Sequence, residues 1–147
     1  MAHSKLTRPA RHSSTTLHQG TLVLDSDGLS RLIDDSVSVV AIVAEARSRG
    51  MEVVISALTI IEATHRKTDR ARLAWLLSAL RIEPVDDAAA KGASALLMEV
   101  GLHGHKYAID AVVAEMALRQ QVPVVMLTSD VDDMRKLCGA SVRLISS

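Results

Sequence analysis

Short apolar runs closed by a polar or acidic residue alternate along this chain with stretches of helical periodicity, and that alternation confines it to the α/β class. Thr21 to Asp25 (TLVLD), Glu52 to Ser56 (EVVIS), Arg81 to Val85, Val124 to Leu127 and Val142 to Ile145 read as strands. Between them, Val40, Ala41 and Ala44 recur at helical spacing from Val37, with Asp35 as N-cap and Gly50 as stop. A helical stretch carries Glu62, and Leu73, Leu76, Leu77 and Leu80 form an apolar stripe behind it. Asp87 to Val100 closes at Gly101, Tyr107 to Arg119 is a further helix, and a short one ends at Gly139. Parallel strands need crossover helices that cover both faces of the sheet. The pattern therefore predicts a three-layer α/β/α architecture with a central, mostly parallel sheet of about five strands.

The chain has 147 residues and 48% hydrophobic content, enough for one domain with a single sizeable core. That domain is expected over residues 21–147. Residues 1–20, with Lys5, Arg8, Arg11 and the histidines His3, His12 and His18, lack an apolar period and are expected to form a flexible basic arm. Lys+Arg and Asp+Glu balance at 17 each, so no global positive field draws the chain onto nucleic acid. Trp75 and Tyr107 are the only aromatic residues of the Phe, Tyr and Trp class, which excludes rows of base-stacking platforms and leaves backbone contacts as the route to any nucleic acid. Cys138 is the lone cysteine, so no internal disulfide can form. No apolar run approaches the roughly 20 residues of a membrane span, and the expectation is a cytoplasmic protein without membrane association.

Four acids fall where a site would form in such a fold. In open α/β sheets the ligand crevice lies beyond the carboxyl ends of the strands. Asp25 ends the first strand and Asp130 follows the fourth, while Glu62 and Asp110 are expected early in helices whose first turns lie on the same rim. Gathered carboxylates repel unless a cation compensates them, and an all-oxygen donor set suits Mg²⁺ or Mn²⁺ better than Zn²⁺. Each acid also has a purely structural role open to it. Asp25 and Asp27 fit a turn, Thr59 to Glu62 matches a capping box, Asp110 suits a helix N-terminus and Asp130 an N-cap.

Four segments together resemble the PIN-domain ribonuclease family, and within it the VapC-type toxins of bacterial toxin-antitoxin pairs. These are Leu22-Val23-Leu24-Asp25-Ser26, Ile55-Ser56-Ala57-Leu58-Thr59-Ile60-Ile61-Glu62, Tyr107-Ala108-Ile109-Asp110-Ala111 and Leu127-Thr128-Ser129-Asp130, in the family's order and spanning about Thr21 to Ile145. The resemblance implies Asp25, Glu62, Asp110 and Asp130 as catalytic metal ligands for Mg²⁺ or Mn²⁺. It also implies endoribonuclease activity on RNA, a homodimer and a cognate antitoxin protein as partner. Asp27, Asp132 and Asp133 depart from the pattern. Asp27 and Asp133 are additional candidate acids of the site, and Asp132 is expected to cap a helix.

Val23-Leu24-Asp25-Ser26-Asp27-Gly28 also resembles the Asp-x-Asp motif of haloacid-dehalogenase-type phosphatases, which would make Asp25 a nucleophile and Asp27 an acid/base, with Ser56 or Thr59 and Asp132 or Asp133 completing the set. That reading leaves Glu62 and Asp110 without a role. A third alternative is a non-catalytic PIN-like domain that binds RNA or protein. His103-Gly104-His105 lacks a thiolate partner and is better read as a solvated loop than as a zinc site. Arg66, Lys67 and Arg70, with Arg72 in the same run, are candidate RNA contacts or a solvated helical face.

Overall fold

The computed structural model describes residues 18–147. Of the expected basic arm, residues 1–17 lie outside the described residues, whereas Gln19 donates its N–H to the Gly50 carbonyl at 3.0 Å. Gly20 enters the first strand at φ 119°, where a Cβ would stand 2.6 Å from the Pro123 carbonyl oxygen, so only glycine fits there.

The five expected strands form one sheet: β1 (Thr21–Leu24), β2 (Glu52–Ser56), β3 (Arg81–Glu83), β4 (Val124–Thr128) and β5 (Arg143–Ser146). Their order is β3-β2-β1-β4-β5 and every pairing is parallel. Leu22 pairs with Val53 on one side and Val125 on the other, so β1 is central. The chain winds outward from β1 in one direction and then returns to its other side. This reversal places the crevice between the carboxyl ends of β1 and β4.

Among the described residues, seven α-helices cover the sheet: α1 (Ser26–Ile33), α2 (Val37–Ser48), α3 (Ala57–Ala63), α4 (Arg70–Ser78), α5 (Asp87–Val100), α6 (Gly104–Leu118) and α7 (Val131–Cys138). The period-2 alternation of β1 divides the core. Val23 packs with Ala93, Leu97, Met116 and Met134 of α5, α6 and α7, whereas Leu22 and Leu24 pack with Leu29, Val39, Val43 and Leu76 of α1, α2 and α4. Ala111, Ala114 and Ala117 are fully buried, and their small side chains seat α6 close to the sheet.

Three local differences from the sequence reading have physical causes. The turn open to Asp25 and Asp27 is not formed, and Ser26-Asp27-Gly28 ends the strand by opening α1. The Asp25 side chain caps it, and Leu29, Leu32 and Ile33 bury its apolar face, which outweighs the poor helix propensity of the first turn. Asp35 is not the cap of α2. It adopts a left-handed φ of 60°, and Ser36 takes the cap position. The basic run is not a continuous helix either, because His65 and Thr68 close a turn before Asp69 caps α4.

Candidate functional site

Asp25 is the most buried of the acids, at 5% exposure. Its backbone N–H donates to the Leu127 carbonyl at 3.2 Å, which ties the end of β1 to the end of β4. Its Oδ1 accepts the N–H of Gly28 at 3.0 Å. Burial pushes its carboxyl above the ordinary value, and hydrogen bonds from the Thr128 side chain and the Gly28 and Ser129 backbones pull the other way. In place of the turn open to it, Asp25 thus caps a helix, and the carboxylate still lies on the rim.

Asp130 behaves differently. It occupies the cap position of α7, yet its side chain makes no capping hydrogen bond and the residue is exposed. Its own N–H donates to the Thr128 hydroxyl at 2.9 Å. Thr128 is fully buried and serves both Asp25 and Asp130, a positioning role that sequence reasoning did not single out although the Thr-x-Asp spacing carried the signal.

Glu62 lies late in α3, not early, because Ser56 caps the helix and Ala57 starts it. The capping-box reading of Thr59 and Glu62 is therefore replaced by the Ser56 cap, whose Oγ accepts the Leu58 N–H at 3.2 Å. Thr59 lies one turn before Glu62, with its buried hydroxyl unpartnered among the described residues. Asp110 lies, as expected, early in the helical run that follows a kink. Helix α6 begins at Gly104, and Tyr107, the expected start, instead has the non-helical angles φ −109° and ψ 15°.

The electrostatics of Asp110 bring the constellation together. Its carboxyl is pushed up to about 6, first by burial and then by the negative charges of Asp130, Glu62, Asp133 and Asp25. The other three acids proposed from the sequence thus all act on Asp110. Of the two additional candidates, Asp133 belongs to this group, half-buried and one helical turn beyond Asp130. Asp27 is engaged elsewhere, by the Ser147 hydroxyl and by the Arg31 guanidinium at 2.9 Å. The Ser147 hydrogen bond, and then Arg31, hold its carboxyl below the ordinary value against the effect of burial. Asp132 is exposed in the first turn of α7 and is not its cap.

Among the described residues, no group of three or more His, Cys, Asp or Glu side chains stands where it could hold a metal ion. Asp25, Glu62, Asp130 and Asp133 are within electrostatic reach of Asp110, and their donor set is oxygen only. His103 is occupied as the cap of α6, its Nδ1 accepting the His105 N–H at 3.1 Å. The basic residues separate into two groups. Arg72 donates to the Ile33 and Leu32 carbonyls at 2.7 and 3.2 Å and pairs with Asp35, closing the end of α1. Arg66, Lys67 and Arg70 are exposed just beyond α3, and Arg66 and Arg70 border a cavity of about 590 Å³ floored by Ile60, Leu73 and Leu77.

No protein-family model matches the chain, and no curated protein matches its sequence. Among solved structures it is similar to a chain in the crystal structure of VapBC2 from Rickettsia felis bound to a DNA fragment from their promoter. The likeness has 16% sequence identity and a TM-score of 0.65, and it covers 86% of this chain and 98% of that one. At this identity the likeness shows the fold, which is PIN-like. No helix among the described residues is long and apolar enough to cross a membrane.

Proposed function

We propose that the chain is a metal-dependent endoribonuclease acting at the carboxylate cluster beyond β1 and β4. The observation that carries this reading is the action of Asp25, Glu62 and Asp130 on Asp110, whose carboxyl burial first and then these charges raise to about 6. A group of acids that resists ionisation is costly to a fold and becomes favourable when a divalent cation shares the charge. The donor set fits Mg²⁺ or Mn²⁺, since it offers carboxylate oxygens without thiolate or imidazole.

Asp25, Glu62, Asp110 and Asp130 would hold the ion or ions, turning inward from their positions to do so, and Asp133 is placed to join them. Such an ion polarises a phosphodiester and lowers the pKa of bound water. The chain's own contribution is placement. Thr128 fixes the backbone of Asp130 and bears on Asp25, and α6 brings Asp110 in over its buried alanines. Arg66, Lys67 and Arg70 lie on the exposed flank next to Glu62, where they would meet RNA phosphates. The phosphatase alternative needs Asp27 as a free acid/base, and the engagement of Asp27 by Ser147 and Arg31 weighs against it. By likeness to the VapBC2 chain, we further assign a protein antitoxin as the partner.

The test is titration with Mn²⁺ by calorimetry, followed by cleavage of single-stranded RNA. Saturable binding that Asp25→Asn weakens at least ten-fold, with cleavage abolished by EDTA, is expected. Equal Mn²⁺ binding by the parent and Asp25→Asn would overturn the assignment.

A further inference from the structure

A second cavity, of about 620 Å³, opens at the other end of the sheet from the carboxylates. Glu52 and Arg81 on its wall are the first residues of β2 and β3, whereas the acids lie beyond the carboxyl ends of the strands. Its size falls within the range of about 300–1,000 Å³ typical of small-molecule pockets. Met51, Leu77, Leu80 and Ile82 give it an apolar surface. The charged groups on the wall are not equivalent. Arg81 is matched, since its Nε donates to Glu52 Oε1 at 3.0 Å and it also pairs with Glu83. The other oxygen of Glu52 stands 3.8 Å from His18 Nε2. Arg47 is different. Among the described residues it pairs with no carboxylate, and residues 1–17 contain no Asp or Glu that could supply one. Its Nη2 donates to the Ala79 carbonyl at 3.0 Å, which brings the guanidinium to the end of α4 and onto the cavity wall. That bond closes the helix end with one of the five N–H groups of the side chain. Burial pulls the guanidinium below its ordinary value, as for a charge partly withdrawn from water without a counter-ion.

We infer that this cavity is a binding site for a monocarboxylate with an aliphatic body, the Arg47 guanidinium taking the carboxylate and Met51, Leu77, Leu80 and Ile82 the chain. A planar guanidinium with N–H groups to spare matches a carboxylate through two parallel hydrogen bonds. The surroundings limit the ligand to one negative charge. Glu52 shares the wall, and α2 and α4 both end here, presenting the negative ends of their dipoles. A phosphate monoester, with its higher charge, is repelled by these groups more strongly than a carboxylate. A neutral ligand leaves Arg47 uncompensated. The apolar body follows from the rest of the wall. Ile82 is 38% exposed on the edge strand and Leu77 is only partly buried, so an aliphatic chain laid over them removes apolar surface from water. The cavity is distinct from the carboxylate cluster, and neither assignment depends on the other.

The experiment is calorimetric titration of the full chain with octanoate, octyl phosphate and octanol, in the parent, Arg47→Met and Arg47→Lys. Octanoate is expected to bind the parent saturably, with octanol and octyl phosphate about ten-fold weaker or more. Arg47→Met should lose about ten-fold in octanoate affinity, and Arg47→Lys less, because it keeps the charge without the planar fork. Octanol affinity should be the same in all three proteins. Should Arg47→Met fail to fold, the comparison of the three ligands on the parent decides. In isotopically labelled parent, octanoate should shift the amide resonances of Ala79 and Ile82 more than those of Asp110 and Asp130. Octanoate binding no tighter than octanol, equal octanoate binding by a folded Arg47→Met, or shifts confined to the carboxylate rim would each overturn the site. Tighter binding of octyl phosphate than of octanoate would overturn the choice of a carboxylate.

Discussion

The buried hydroxyl of Thr128 accepts the N–H of Asp130 at 2.9 Å, so the last residue of β4 fixes the backbone of the acid that follows it. The same side chain bears on the Asp25 carboxyl at the end of the neighbouring strand and favours its ionised form. One hydroxyl thereby sets the relative position of two of the four carboxylates. Thr128→Val preserves the shape and removes both interactions. It is expected to cost about 1–2 kcal/mol of stability, the range for lost hydrogen bonds with one buried charged partner. Cleavage should fall by more than stability alone accounts for, at temperatures where both proteins are folded. Chemical denaturation paired with single-turnover rates checks this, and an unchanged rate would remove Thr128 from the site.

The acid cluster also predicts a pH dependence of stability in EDTA. The Asp110 carboxyl is raised from 3.8 to about 6 in the folded protein, so the folded state holds a proton that the unfolded chain releases between those values. The stability from this group is fully present below the lower value and is lost as pH rises through the upper one. Burial raises the Asp25 carboxyl too, and it contributes with the same sign. Asp110 is half-exposed, and after solvent screening its share is about 1 kcal/mol. Thermal melts from pH 4 to 7 should show the parent losing stability relative to Asp110→Asn, and parallel curves would contradict the cluster. Adding Mn²⁺ at 100 times its Kd at pH 7 should restore about 2.7 kcal/mol to the parent.

Self-association is expected from large apolar side chains left in solvent. Val37, Ile61 and Trp75 are 86, 68 and 67% exposed. Light scattering at micromolar concentration should give about twice the 15.8 kDa chain mass. A monomer at every concentration would refute it.

The strands and the acids were legible because each depends on local signals. An apolar run such as Leu22-Val23-Leu24 followed by an acid is both a buried strand and a rim position. Helix α1 was not legible, since Ser26-Asp27-Gly28 has the composition of a turn and becomes helical only through the Asp25 cap and the burial of Leu29, Leu32 and Ile33. Nor could spacing separate Asp27 from Asp133. Asp27 is drawn off by Ser147 at the far end of the chain, and Asp133 faces Asp110 on another helix, so both outcomes depend on tertiary contacts. The same holds for Arg72, whose partners are the Leu32 and Ile33 carbonyls of α1 and which is thereby removed from the basic surface that the run of charges suggested.

Asp110→Asn separates the functional role of this residue from a structural one. The substitution keeps the size of the side chain, and Asp110 lies in the first turn after the break at Tyr107, so a purely structural aspartate would lose at most about 1 kcal/mol through the helix dipole and leave cleavage intact. A ligand among Asp25, Glu62 and Asp130 behaves oppositely on both counts. Neutralising it removes mutual repulsion, so the variant should melt at the same or a higher temperature than the parent in EDTA at pH 7. It should also bind Mn²⁺ weakly and cleave RNA at least a hundred-fold more slowly, because the site loses one of the charges that hold the ion. Stabilisation in EDTA together with loss of Mn²⁺ binding is a combination that a packing defect cannot produce. A variant that binds Mn²⁺ and cleaves as the parent does would exclude Asp110 from the site and break the four-carboxylate assignment.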